Sequence, residues 1–191
     1  MKAVLVRSTL DDIAKDDPEL ATRMRARMSA AALEQLHDAS RVGFVPIGVD
    51  VELTEALFAE AGPVLAAETL RSGIAGSLSG PLFGSMIATA RAVLGGSLAS
   101  LLKWSPRVWA AIYRDAGVVV VEETSSTRAR LAIEDLPLSV CESPSYLRGT
   151  AAAIGGIFDI VGTEGRVELE GPDVDRRRAV FHLHWRLSSH D

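Results

Sequence analysis

Few residues in this chain could do chemistry, and they are scattered. His182 and His184 stand two apart in an alternating stretch, so both project from one strand face and would chelate a metal if Glu168 supplied a third ligand. A zinc site takes about four ligands, at least three of them from protein. The pair is read instead as part of an ordinary polar strand face. Cys141 is the one cysteine. No base adjoins it, which fits a quiet, partly buried thiol better than a redox-active one, and a lone cysteine fits a reducing compartment. Glu122 with Glu123 and Glu134 with Asp135 are carboxylate pairs only in sequence, because strand neighbours point to opposite faces and do not easily share a proton. Gly76, Gly80 and Gly84 recur every four residues, but Pro81 interrupts the run and a loop is expected there. The glycine-rich stretches lack the context of a phosphate-binding loop, which argues against nucleotide hydrolysis. No catalytic set, metal site or cofactor is expected from this inventory.

A binding site is the better prospect. Aromatic residues make up only 5% of the chain, and Trp109, Tyr113, Tyr146 and Phe158 fall on two expected helices of its second half. If those helices cover the concave side of a sheet, the four side chains line an apolar pocket with two phenols to orient a ligand. Cys141, just ahead of the second helix, completes the candidate ligand-binding set. The alternative is an ordinary core.

The elements that must position these residues are marked by caps and by hydrophobic period. Ser105-Pro106 opens a helix through Val108, Trp109, Ile112 and Tyr113 that ends at Ala116-Gly117. Val118 to Glu123 and Arg128 to Ile133 read as a hairpin, the second strand alternating with Ala129, Leu131 and Ile133 on one face. Ser143-Pro144 starts a helix to about Val161, in which Gly149, Gly155 and Gly156 imply a closely packed neighbour. Arg166 to Glu170 and Ala179 to Leu187 form a second hairpin, with Phe181, Leu183 and Trp185 facing one way and His182, His184 and Arg186 the other.

The first half reads as mainly helical. A short strand is expected at Ala3 to Val6, helices from Asp17-Pro18 and from Ser29, a loop from Arg41 to Asp50, and a helix capped by Asp50 that breaks at Gly62-Pro63. A further helix is expected from Pro81 to Leu94, interrupted at Gly95-Gly96. The fold class is therefore α+β: one domain over residues 1–191, with a helical lobe at 1–104 and a helix-strand-strand-helix-strand-strand unit at 105–191 whose four strands form an antiparallel sheet.

The chain is long enough, at 191 residues and 48% hydrophobic, to bury a full core. A net charge of −5 gives no general attraction to phosphate backbones, so nucleic acid is not an expected partner. The N-terminus lacks a signal-peptide core, and the uncharged stretch Gly73 to Ala90 carries too much Gly and Ser for a membrane span. A cytoplasmic location is expected.

The helical first half, the segment Trp104 to Tyr113 (Trp-Ser-Pro-Arg-Val-Trp-Ala-Ala-Ile-Tyr), the segment Cys141 to Gly149 (Cys-Glu-Ser-Pro-Ser-Tyr-Leu-Arg-Gly) and the closing Phe181-x-x-x-Trp185 together resemble V4R-like (4-vinyl-reductase-type) domains. The likeness is nearest to a largely myxobacterial paralogous family with that fold, and the same plan is shared by TRAPP-complex subunits and, more distantly, by H-NOX haem domains. The resemblance implies a bacterial, non-catalytic module that binds an apolar small molecule or a protein partner in signalling, often as a homodimer. A structural adaptor is the alternative; a reductase-like enzyme or a haem sensor fits less well. V4R domains often carry Cys or His in the loop before the last helix and in the final hairpin. Here Cys141 stands near the first position, but Gly171 to Arg178 contains neither. H-NOX domains hold the haem iron by a His on the helix before the first strand, and no His lies between Trp104 and Gly117.

Overall fold

The computed structural model describes residues 1–40, 42–79, 84 and 97–186. Their order is α1 (Ala3–Asp16), α2 (Pro18–Arg27), α3 (Ala30–Asp38), α4 (Ile47–Ser79), α5 (Leu98–Leu102), α6 (Ser105–Ile112), β1 (Val118–Thr124), β2 (Arg128–Glu134), α7 (Leu138–Cys141), α8 (Pro144–Val161), β3 (Gly165–Asp173) and β4 (Arg178–Trp185). The architecture is α+β, with helices followed by one antiparallel sheet in the order β1-β2-β4-β3.

Local chemistry explains most boundaries. Asp17 accepts from the Leu20 amide at the start of α2, Ser29 from Ala32 at the start of α3, and Ser143 from Tyr146 at the start of α8. Gly62 adopts φ 79° and ψ 166°, outside the helical region, and kinks α4 just before Pro63. Three expectations are corrected. Ala3 to Val6 is helical, because Leu5, Val6, Leu10 and Ile13 continue at helical spacing and are buried along one face of α1. The loop ending at Asp50 gives way to helix at Ile47, which puts Asp50 in the first turn of α4 instead of at its cap. Helix α6 stops at Ile112, four residues short of Ala116, its end marked by the extended backbone of Tyr113. The short α7 was not expected. Gly76 is also helical, inside α4, and Gly84 is helical too. Gly80, Pro81, the rest of the expected Pro81 to Leu94 helix, the Gly95-Gly96 break and Leu187 lie outside the described residues.

The sheet has one apolar and one charged face. Val119, Leu131, Ile133, Phe181, Leu183 and Trp185 are buried toward the helices. On the other face Arg130 pairs with Glu122 at 2.7 Å, Arg178 also pairs with Glu122, and His182 meets Glu170 at 2.8 Å. Glu168, the expected third ligand for a histidine chelate, pairs with Arg166 at 2.8 Å. Among the described residues no group of three or more His, Cys, Asp or Glu side chains could hold a metal ion.

Helix α8 lies between the sheet and α4. A Cβ at Gly149 would come within 2.8 Å of Leu70 and 2.9 Å of Thr54, so the two helices close on a position without a side chain. At Gly155 the nearest such atom, on Val167, is 3.9 Å away, which is ordinary contact and no special approach. Gly149→Val is expected to lower the unfolding free energy by about 2 kcal/mol through overpacking at this crossing, measured by urea denaturation. A change under about 0.5 kcal/mol would contradict the close approach. Two hydrogen bonds fix the same pair of helices: Ser143 donates to Glu55 at 2.6 Å, and the Tyr146 hydroxyl donates to Asp50 at 2.9 Å.

Candidate functional site

The apolar side of the sheet and the helices over it line a cavity of about 130 Å³. Val108, Trp109 and Tyr113 line it from α6 and its end, Ile154 and Ile157 from α8, and Leu131 and Phe181 from the sheet. These residues meet because α6 and α8 each present an apolar stripe to a strand face of period two. The Trp109 and Tyr113 rings, one helical turn apart, stack with centroids 3.9 Å apart and planes inclined by 26°. The indole nitrogen of Trp109 donates to the Gly117 carbonyl at 3.1 Å, which fixes the ring as a wall.

A second chamber of about 70 Å³ adjoins the first, and the two share Ile74, Tyr113, Thr150 and Ala153. Its lining includes Asp50, Thr54 and Tyr146. Asp50 is only 8% exposed. Burial pushes its pKa from 3.8 up to about 6, against the opposing effects of the Tyr146 hydrogen bond and the Met1 amino group. Burial, reinforced by the charge of Asp50, likewise holds the Tyr113 and Tyr146 phenols above their ordinary value.

The structure thus brings together Trp109 and Tyr113 on the cavity wall and Tyr146 in the adjoining chamber. It does not bring Phe158 or Cys141 there. Phe158 is fully buried with its ring against the backbone of Gly165, because the helical turn carries it to the far side of α8, where β3 begins. Cys141 is buried in α7 with its thiol pKa raised, chiefly by burial. Sequence reasoning missed Asp50, read there only as a helix cap. A signal existed in its position within an apolar run, but its partner Tyr146 is 96 residues away.

No protein-family model matches the sequence, and no curated protein does. Solved structures do share the fold. An Fe(II) unliganded H-NOX protein from K. algicida superimposes with a TM-score of 0.65 at 14% identity, covering 100% of each chain. A structure from work on haem distortion in the H-NOX family gives 0.61 at 11%, covering 100% of this chain and 98% of that one. A T. tengcongensis H-NOX mutant gives 0.57 at 10%, covering 99% and 100%. The chain therefore has the H-NOX fold.

The residues here do not fit a haem. Among the described residues that line the cavity there is no His, Cys or Met, and no Lys or Arg to meet the carboxylates of the macrocycle. The one remaining ligand type is Tyr113, whose phenol would have to ionise where burial opposes it. At about 130 Å³ the cavity also falls below the roughly 300 Å³ at which sites for drug-sized molecules begin. His37 lies in α3, and His182 and His184 on the charged face of β4, all outside the cavity.

Proposed function

We propose that this protein is a non-catalytic small-molecule-binding module of signalling type, of V4R-like kind, which takes an apolar molecule into the cavity between α6, α8 and the sheet. One observation carries the reading: the stacked Trp109 and Tyr113 rings wall an apolar space over the sheet, while Ile154 and Ile157 beside it stay only half-buried. An ordinary core would fill that space with side chains. The similar solved structures include an Fe(II) H-NOX protein and one from work on haem distortion; this chain would use the same fold for a smaller guest, since roughly 150 Å³ accommodates a benzene-sized molecule. A cytoplasmic, bacterial protein acting as a homodimer completes the proposal. Among the described residues no helix is long and apolar enough to cross a membrane.

The test is a thermal-shift panel of single-ring hydrocarbons. Ethylbenzene near a hundredfold excess over its Kd is expected to raise the Tm by about 5–10 °C. Ala153→Phe, which places a ring in the space both chambers share, is expected to weaken that binding at least about tenfold. No shift for any member of the panel would reject the proposal.

A second reading, an adaptor that docks or dimerises through a helix face, draws on Val64 and Leu65. They are 71% and 48% exposed just after the α4 kink. Sedimentation showing a monomer at all concentrations, together with no loss of partner binding in Val64→Ser, would remove it.

A further inference from the structure

The chamber beside the cavity has a proton count that a purely apolar guest would leave unused. An ionised carboxylate only accepts hydrogen bonds, and each hydroxyl has one proton to give. The Tyr146 proton is committed to Asp50 at 2.9 Å. The neighbouring Tyr113 hydroxyl interacts with Tyr146 and offers an entering group both lone pairs and one proton. Three of the four threonines of the lining have also committed their protons, each to a backbone carbonyl: Thr9 to Leu5 at 3.0 Å, Thr69 to Leu65 at 2.8 Å and Thr150 to Tyr146 at 3.0 Å; the fourth is Thr54. The cation that acts on Asp50 is the Met1 amino group of the same lining, which gives one of its protons to the Val45 carbonyl at 2.8 Å and has its pKa lowered, chiefly by burial. An entering polar head thus meets one buried carboxylate, Asp50, with phenolic oxygens beside it.

We propose that the two chambers form one site that selects a small apolar amine, with its ring or short chain against Trp109, Ile154, Ile157 and Phe181 and its ammonium group at Asp50, Tyr146 and Tyr113. This rests on the small-molecule reading of the cavity. It adds the class of head group, because a buried carboxylate with phenolic neighbours complements a cationic donor and repels an anion. The groups that set the charge at this end are Asp50, Tyr113, Tyr146 and the Met1 amino group, with Asp115 acting on that amino group from outside the chamber.

The experiment is calorimetric titration of the whole chain with four probes that share a phenyl ring: ethylbenzene, 2-phenylethanol, 2-phenylethylamine and 3-phenylpropionate. At pH 7.5 the amine is expected to bind at least about tenfold more tightly than ethylbenzene, the alcohol to fall between them, and the carboxylate to bind worst. Asp50→Asn is expected to bring the amine down to the level of the alcohol while ethylbenzene changes less than twofold, which also shows that the variant is folded. The amine's advantage is expected to shrink below pH 6 in the parent protein and not in Asp50→Asn. Equal affinity for amine and hydrocarbon, or an amine affinity untouched by Asp50→Asn, would overturn the head-group assignment while leaving the cavity in place. Binding of none of the four probes would overturn both.

Discussion

Replacing Phe181 by alanine is expected to lower the unfolding free energy by about 3–5 kcal/mol and the Tm by about 10 °C or more. Phe181 is fully buried and sits in β4, one of the two inner strands of the sheet, opposite Leu131 on one side and Leu169 on the other. Its ring also forms part of the cavity wall. Truncation therefore opens a void that merges with one already present, and the surroundings have little means of collapsing into it, which places the cost toward the upper end of the range. The enlarged space should also take larger guests, so ethylbenzene or a two-ring hydrocarbon is expected to restore part of the lost Tm. Chemical denaturation with and without these compounds measures both effects. A loss under 1 kcal/mol would contradict the packing described for β4, and a full loss without rescue would contradict the continuity of the void with the cavity.

Asp50→Asn is expected to stabilise the protein at pH 7.5 by about 2–3 kcal/mol and to remove its main pH dependence between pH 4.5 and 7.5. The folded-state pKa of Asp50 is about 6, against an ordinary value of 3.8. Between those values the folded state binds a proton that the unfolded state does not, so stability falls as pH rises through the window and is lowest above pH 7. The full difference corresponds to about 3 kcal/mol, about 2 kcal/mol of it regained by pH 4.5. Asparagine keeps an oxygen for the Tyr146 hydroxyl and carries no charge to desolvate. Burial lowers the pKa of the Met1 amino group, which opposes this trend near pH 8; because Asp50 also raises that pKa, the difference between the two profiles reads the carboxylate most directly at the acid end of the window. Urea unfolding at a series of pH values is the measurement. Parallel profiles for the two proteins would show that Asp50 is not held as described. A carboxylate that costs stability in this way is consistent with a functional role for the chamber it lines.

How much of this was legible in the sequence depended on whether the signal was local. Ser143-Pro144 announces α8 because a capping hydroxyl and a proline at the first turn act within a few residues, and Pro106 likewise marks the first turn of α6, although Ser105 lies inside that helix and donates to the Leu102 carbonyl instead of capping it. The alternation at Ala129, Leu131 and Ile133 likewise gives β2 and its buried face. Ala3 to Val6 misled because two valines in four residues suit a strand, and only the longer pattern through Ile13 shows which face α1 buries. Trp109 and Tyr113 share a wall because four residues make about one helical turn, a relation contained in the chain itself. Phe158 belongs to an expected helix over the sheet, which is why the sequence assigns it to the pocket, but its angular position on α8 sends it to Gly165 instead. For Asp50 the local signal was only its place in an apolar run, because its hydrogen bond to Tyr146 exists only once α8 has packed along α4.

The most direct test of the central claim, that the space between α6, α8 and the sheet receives a small molecule, is native mass spectrometry of the protein purified from its own host, compared with its denatured mass and repeated with Ala153→Phe. The parent protein is expected to carry an added non-covalent mass of single-ring size, or to gain one on adding 2-phenylethylamine, and the variant to carry none. A parent protein that carries no added mass and acquires none from any of the four probes would contradict that claim.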